Sequence, residues 1–144
     1  TEDESNGFEF GKGRLITEGN DIAIIATGET VYPALQAAIS LQTMHNVNAS
    51  VISMHTIKPL DQELIKRIAA NTKAILTVEE HSVYGGLGEA CASFLLESGY
   101  NKPFKIIGIP DEYTVTGSQT EIMNHYGISE QGITEASLKL LKLK

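Results

Sequence analysis

The chain has 144 residues, a formal net charge of -7 at pH 7 and an apolar content of 42%. A domain of this size buries about two-thirds of its unfolded surface, so it builds a core without disulfides or metals. The acidic balance and the scattered basic residues argue against nucleic acid as a partner. No apolar run approaches the roughly 18 residues that cross a bilayer, which argues against a membrane segment.

The N-terminal region is predicted to contain a tail and two strands. Residues 1–7, TEDESNG, are acidic and small, which indicates a flexible linker or tail ahead of a folded domain over residues 8–144. We expect an edge strand near residues 14–17. The continuous apolar run Ile22–Ala26 is typical of a strand covered on both faces. The start at Thr1, without a signal-peptide pattern, favours a piece of a longer protein.

Two strand-and-helix units are predicted next. A helix over residues 31–45 follows from the helical spacing of its apolar residues Val31, Ala34, Leu35, Ala38, Ile39 and Leu41. Residues 49–54 predict a strand. After the link HTIKPLD, a helix over residues 62–70 is expected to begin with Asp61 as its N-cap, because aspartate accepts hydrogen bonds from helix-start amides. This helix should bury Leu64, Ile65 and Ile68.

The stretch LTVEEHSVYGGLGEACASFLL, residues 76–96, organises the rest of the chain. Residues 74–78 predict a buried strand, which should end at the polar residues Glu79, Glu80 and His81. A turn follows, with glycines at Gly85, Gly86 and Gly88. The next helix has an apolar stripe at Leu87, Ala90, Cys91, Phe94 and Leu95. Such a junction lies at the carboxyl end of a strand in α/β sheets, where helix-start amides face ligands, so we place the candidate site here.

The C-terminal region completes an alternating pattern. Residues 104–109 predict a fourth core strand, and residues 110–117 a polar irregular segment. A short helix over residues 119–126 and an amphipathic helix over residues 130–141 follow, the latter with inward positions at Ile133, Ala136, Leu140 and Leu143. Strands that alternate with helices indicate βαβ units and a largely parallel sheet.

The single cysteine, Cys91, lies on the apolar stripe of its helix. A small buried hydrophobic residue is favoured over a catalytic nucleophile. One cysteine forms no internal disulfide, which is typical of a reducing compartment, and we expect a cytoplasmic protein.

The candidate site has competing interpretations. The glycine turn could hold a dinucleotide phosphate, but the third glycine of the fingerprint is replaced by Cys91, and acidic neighbours would repel a polyphosphate. A structural turn is favoured. His81 with Glu79 and Glu80 could act as an acid and base pair or bind a metal, yet adjacent strand residues point in different directions. A hydrogen-bonded surface or interface histidine is favoured.

The link after the second core strand is the other candidate. Lys58 could bind an anion there, although a bend at Pro59 and a cap by Asp61 explain the segment without a ligand. The polar residues 110–118 could form a binding loop or a connection packed against a neighbouring domain. From these residues alone the prediction is an α/β domain with a modest site.

Four segments in order resemble a known family. They are ATG after an apolar strand, TIKPLD, LTVEEHSVYGGLGEA and IPDEYTVTGSQTEIMNHYGIS. Together they resemble the C-terminal domain of transketolase over residues 11–141. Deoxyxylulose phosphate synthase and the beta chain of 2-oxo acid dehydrogenases carry a similar domain.

The resemblance implies a three-layer α/β/α fold with a five-stranded, mostly parallel sheet and one antiparallel edge strand near residues 14–17. It implies ketol transfer between sugar phosphates, in the pentose phosphate pathway, by a dimeric enzyme. Thiamine diphosphate and magnesium would bind to upstream domains, so no catalytic, cofactor or metal residue is carried onto this chain. The isolated domain is expected to be inactive and to support assembly, with an exposed apolar patch. Its possible interface or regulatory residues are Lys58, Asp61, Glu79, Glu80, His81, Tyr84, Gly85, Gly86 and Gly88.

One position bears on the choice of relative. The synthases usually have a histidine before the glycine in the segment matching PDEYTVTG, and this chain has Thr116 there. Transketolase, including forms split into two polypeptides, is therefore favoured. The alternatives are the synthase domain and a free-standing nucleotide or anion sensor that uses the glycine turn and Lys58.

Overall fold

A single mixed sheet with helices on both faces forms the domain. The computed structural model describes residues 11–55, 57, 59–82, 86–110 and 116–142, without the side chains of residues 81 and 82. The strands are β1 (Gly13–Thr17), β2 (Ile22–Ala26), β3 (Ala49–Met54), β4 (Ile75–Ser82) and β5 (Phe104–Ile109). The helices are α1 (Val31–His45), α2 (Gln62–Asn71), α3 (Leu87–Glu97), α4 (Gln119–His125) and α5 (Glu130–Leu141). None of these helices is long and apolar enough to cross a bilayer.

The strand order is β1-β3-β2-β4-β5. Strands β2 to β5 run parallel, whereas β1 pairs antiparallel with β3 at one edge. This arrangement confirms the five-stranded fold with one antiparallel edge strand. Strand β2 lies in the middle of the sheet, between β3 and β4, and helices cover both faces there, which explains why every residue of β2 is buried.

Alternating side chains of the sheet pack into two apolar cores, one on each face. One core packs the sheet against α1 and α5, with contributions from α4. The other packs it against α2 and α3. Within β2, Ile22 and Ile24 belong to the first core and Ala23 and Ile25 to the second, as expected from the two-residue period of a strand.

Most element boundaries agree with the sequence prediction. The bounds of β2, α1, β3, β5 and α5 are those predicted, while α2 extends one residue further and α4 stops one residue earlier. Asp61 is confirmed as the N-cap of α2. On the inward faces, Leu64 and Ala136 are only half-buried, whereas Ile65 and Ile133 are fully buried. Residues 1–10 and Leu143 lie outside the described residues.

The predicted inward face of α1 was wrong at one position. Ile39 is 63% exposed. Ala34, Ala38 and Leu41 face inward as predicted, and Ala37 joins them, so that small side chains let the helix approach the sheet closely. Helical spacing alone therefore does not separate the inward face of this helix, made of three alanines and Leu41, from the neighbouring exposed Ile39.

The strand end of β4 was also predicted too early. The strand continues past residue 78 through Glu79 and Glu80 to Ser82, where it pairs with Ile109 after an irregularity. Charge was expected to end the strand, since buried carboxylates are costly. The buried Glu79 carboxylate accepts two backbone hydrogen bonds, which compensates that cost, and the half-buried Glu80 carboxylate accepts one.

Candidate functional site

The predicted site segments lie at one edge of the sheet, here called the carboxyl edge because the parallel strands β2 to β5 end there. The turn at residues 27–30 follows β2, the link at 55–61 follows β3, and the turn before α3 follows β4. The first residue of antiparallel β1, Gly13, also lies at this edge, since it pairs with Met54 at the end of β3. One edge therefore gathers segments that are far apart in the sequence.

Glu79 is buried at the end of β4 and caps the start of α3. Its two carboxylate oxygens accept hydrogen bonds from the backbone N–H groups of Leu87, at 2.9 Å, and Gly88, at 3.0 Å. The N-cap residue Gly86 has no side chain to do this. A negative charge at a helix start is stabilised by the helix dipole. The amides that could have bound a phosphate are thus already paired with a carboxylate of the chain.

Close packing against the sheet requires a glycine at residue 88. A Cβ atom added there would lie 2.6 Å from the Cγ2 atom of Ile106 on β5. That separation is shorter than any ordinary contact, so the glycine lets α3 approach the sheet. Gly88 is therefore explained by close packing, and the amides of Leu87 and Gly88 are occupied by the Glu79 cap.

Glu80 points to the opposite face of the sheet and holds the turn before α1. Its Oε1 atom accepts a hydrogen bond of 2.8 Å from the backbone N–H of Glu29. Gly28 has φ +52°, and an added Cβ atom would collide with the Glu80 carboxylate. The Thr30 hydroxyl lies 3.1 Å from the carbonyl oxygen of Val78, to which it donates. Adjacent carboxylates of β4 thus fix two different turns.

Asp61 connects the link after β3 to the beginning of β1. Its Oδ1 atom accepts from the backbone N–H of Leu64, at 3.2 Å, which caps α2. Its Oδ2 atom accepts from the N–H of Gly13, at 2.7 Å. The same carboxylate therefore starts one helix and anchors the strand through which the chain enters the domain.

The remaining predicted site residues are only partly described. The backbone of His81 lies in β4, but its side chain is outside the described residues, as are Lys58, Tyr84 and Gly85. Residues 111–115 of the polar segment are outside them as well. In the ranges that the structure describes, no three His, Cys, Asp or Glu side chains are grouped so as to hold a metal ion.

Cys91 is buried among the apolar residues of the α2 and α3 core. Burial, and secondarily the negative charge of Glu79, raise the pKa of its thiol to about 12. The thiolate is the nucleophilic form, so this cysteine is unreactive near neutral pH. Its prediction as a buried hydrophobic residue is confirmed.

Sequence reasoning missed what Glu79 and Glu80 do. It weighed them with His81 as one candidate cluster and noted that neighbouring strand residues point in different directions, and the structure places Glu79 and Glu80 on opposite faces of the sheet. What it did not foresee is that each carboxylate binds the backbone of a different turn. The cap at α3 was harder to find, because its carboxylate lies eight residues before the first amide it binds.

The fold and the sequence place this chain in the transketolase C-terminal domain family. The family model described as "Transketolase, C-terminal domain" matches residues 11–133. The chain is therefore a transketolase C-terminal domain, and it belongs to that family over nearly its whole length.

Individual relatives agree with this assignment. The chain is 45% identical over 141 residues to one subunit of an apulose-4-phosphate transketolase from Phocaeicola vulgatus, covering 96% of the chain and 44% of that protein. It is 38% identical to a putative transketolase C-terminal section from Methanocaldococcus jannaschii, covering 97% of the chain and 43% of that protein. A 1-deoxy-D-xylulose-5-phosphate synthase from Syntrophus aciditrophicus is 41% identical, in a match that covers 94% of this chain and 21% of the synthase.

A solved structure described as a split gene transketolase, inactive beta4 tetramer, superposes with a TM-score of 0.87 at 37% identity. That match covers 95% of this chain and 44% of the solved one. A transketolase from Pichia stipitis has the same fold, with a TM-score of 0.65 at 22% identity, covering 92% of this chain and 18% of that one. The chain thus spans less than half the length of these relatives.

Proposed function

We propose that this chain is the assembly domain of a thiamine diphosphate-dependent transketolase, which transfers a two-carbon ketol unit between sugar phosphates. In this proposal the upstream domains bind the cofactor and magnesium. This chain, inactive alone, completes the enzyme and supports its homodimer in the cytoplasm. Residues 8–144 form the domain, and residues 1–7 belong to the connection with the upstream part.

The observation that carries the proposal is the pairing of the α3 amides with Glu79. A diphosphate would need free helix-start amides or a metal held by carboxylates. Here both amides bind a buried carboxylate, and the exposed Glu89 of the first turn adds a further negative charge. The start of α3 is therefore a poor site for the diphosphate, which supports a role in assembly.

The carboxyl edge is the proposed contact surface. Glu79, Glu80 and Asp61 use their carboxylates to bind backbone amides and so hold three neighbouring segments in fixed positions. Lys58, His81 and Tyr84 belong to these segments in the sequence, and we propose that they meet the upstream domains. The nucleotide-sensor alternative is disfavoured by the same pairing of the α3 amides.

The test combines binding with reconstitution. The chain is titrated calorimetrically with thiamine diphosphate and magnesium, and separately with an adenine nucleotide. We expect no binding of either at millimolar ligand, and ketol transfer only after the upstream polypeptide of the same enzyme is added. Tight binding of thiamine diphosphate by the chain alone would overturn the proposal.

The same reconstituted enzyme distinguishes the two families of relatives. Transketolase activity is expected, with sugar phosphates as donor and acceptor. If the reconstituted enzyme formed deoxyxylulose phosphate and transferred no ketol group, the synthase alternative would replace the transketolase assignment. Binding of an adenine nucleotide by the chain, with loss of that binding in Gly86→Val, would favour the sensor.

A further inference from the structure

A cleft lies between the edge strand β5 and the helix α5. Its volume is about 640 Å³, which is within the range of small-molecule binding sites. Lys105 and Ile107 line it from β5, and Tyr126, Ala136 and Leu140 line it from the end of α4 and from α5. Strand β5 is the outermost of the described strands on this side, so the cleft lies at the rim of the sheet. We call this space the β5 cleft.

Two glycines keep side chains out of the β5 cleft. Gly127, in the turn between α4 and α5, has φ +80°, and a Cβ atom added there would have no other atom within 4 Å. Gly132, in the first turn of α5, would place a Cβ atom 2.5 Å from the carbonyl oxygen of Gly127. The turn therefore packs on α5 backbone against backbone, and the space that two side chains would have filled stays open.

The inner walls of the β5 cleft are apolar. Ile107 and Leu140 are buried and belong to the core between the sheet and α5. Ala136 and Tyr126 are half-buried beside them. The Tyr126 ring meets the His125 ring edge-on, with 4.8 Å between the ring centroids. Such walls favour a flat apolar body, because aromatic rings pack well against one another and bury a large apolar area.

The outer part of the β5 cleft is basic, although the chain as a whole is acidic. Lys105 lies two residues before Ile107 on β5, so both side chains face the layer of α5. Lys105 and Lys139 are exposed, and neither forms an ion pair with a carboxylate in the part of the chain that the structure describes. The carboxylate that lines the cleft, Glu135, accepts a hydrogen bond of 3.0 Å from the side-chain amide of Gln131. Two ammonium groups from different elements are thus available to an anion.

We propose that the β5 cleft binds a small aromatic carboxylate. The ring body packs against the apolar walls beside Tyr126, and the carboxylate pairs with the ammonium groups of Lys105 and Lys139. A polyphosphate fits this place less well, because Glu130 and Glu135 line the adjoining polar side and repel a multiply charged anion.

The β5 cleft is separate from the proposed contact surface. Lys105 is the second residue of β5 and so lies at the amino end of that strand, whereas the proposed contact surface is the carboxyl edge. A ligand that pairs with Lys105 leaves the carboxyl edge accessible. The inference therefore goes beyond the proposed function and does not depend on it.

A groove beside α1 is of similar size but lacks this chemistry. Its volume is about 410 Å³, and Leu35 and Ile39 are among its walls. Among the described residues that line it, Glu18 is the one with a charged side chain. An anion is repelled there, so of the two apolar spaces the β5 cleft is the one suited to a carboxylate.

The experiment uses one ring system with and without its charge. The probes are 2-naphthoate and the uncharged 2-naphthamide, each titrated into the whole chain by calorimetry at low salt, where exposed ion pairs are least screened. Nuclear magnetic resonance follows the backbone amides of Gly127 and Gly132, which report on the β5 cleft. Lys105→Gln and Lys139→Gln each remove one ammonium group. Lys12→Gln is the matched control, because Lys12 is exposed just ahead of β1 at the other edge of the sheet.

We expect 2-naphthoate to bind with a Kd on the order of 1 mM or below and to shift the amides of Gly127 and Gly132. Each cleft lysine variant should weaken this binding about threefold and the double variant about tenfold, as exposed ion pairs do. Lys12→Gln should bind 2-naphthoate as the unmodified chain does, and 2-naphthamide should bind more weakly than 2-naphthoate. Acetate, which has no ring, should not displace 2-naphthoate at equal concentration.

Three results would overturn the inference. The first is no binding of 2-naphthoate, or binding that leaves the amides of Gly127 and Gly132 unshifted. The second is equal weakening in Lys12→Gln and in the cleft lysine variants, which would assign the effect to the net charge of the chain. The third is equal affinity for 2-naphthoate and 2-naphthamide, which would leave no role for the carboxylate.

Discussion

The starts of α2 and α3 solve the same physical problem in different ways. Both helices begin at the carboxyl edge and expose amides that need acceptors. Helix α2 uses its own N-cap, Asp61, which binds the amide three residues later. Helix α3 begins at Gly86, without a side chain, and takes its acceptor from Glu79 on the preceding strand. A local cap stabilises one helix, whereas a cap from another element joins a helix to the sheet.

The difference shows in how the carboxylate oxygens are used. Both carboxylate oxygens of Glu79 accept from amides of α3, so removal of this side chain takes two hydrogen bonds from the same helix start. Asp61 divides its oxygens between α2 and the beginning of β1. The α3 start is therefore expected to depend on one buried residue more strongly than the α2 start does.

The largest effect is expected for Glu79→Ala. The substitution leaves the amides of Leu87 and Gly88 buried without an acceptor and removes a charge that favours the helix dipole. We expect the free energy of unfolding to fall by about 3 kcal/mol, measured by urea denaturation. Glu80→Ala is the matched control, because Glu80 is less buried and its Oε1 atom binds the Glu29 amide, and it should lose about 1 kcal/mol. Equal losses at the two positions would contradict the comparison.

A smaller effect is expected for Asp61→Ala. Loss of an N-cap costs roughly 1 to 2 kcal/mol, and the hydrogen bond to Gly13 is lost with it. Asp61→Asn should lose about half as much, because the asparagine oxygen keeps the cap to Leu64 while its amide nitrogen cannot accept from the Gly13 N–H. Thermal denaturation of the three proteins measures the difference. A loss in Asp61→Asn as large as in Asp61→Ala would show that the second acceptor oxygen and the charge, and not the cap, stabilise this junction.

Local patterns were sufficient for much of this fold and insufficient for its site. Strand β2 and helix α5 were predicted to the residue, because apolar periodicity and turn residues act over short distances. The N-cap role of Asp61 was predicted for the same reason, since an N-cap residue binds an amide only two or three residues later in the sequence. The roles of Glu79 and Glu80 depend on which elements lie on each face of β4, and topology decides that. Ile39 was misassigned because periodicity does not say whether an apolar residue faces the core or a partner.

Helix α3 also carries a titratable group that Glu79 influences, and this gives the smallest predicted effect. Burial first, and the Glu79 charge second, raise the pKa of Cys91 from an ordinary value near 9 to about 12. Above pH 9 the unfolded chain therefore releases the thiol proton while the folded chain retains it, so the contribution to stability is complete below pH 9 and declines as the pH rises to 12. The decline is at most about 1.4 kcal/mol per pH unit. The difference in unfolding free energy between the wild-type chain and Cys91→Ala, measured from pH 8 to 10.5, isolates this group from lysines and tyrosines. The wild-type chain should lose stability more steeply than the variant above pH 9, and parallel curves would mean that the thiol ionises in the folded domain as readily as in the unfolded chain.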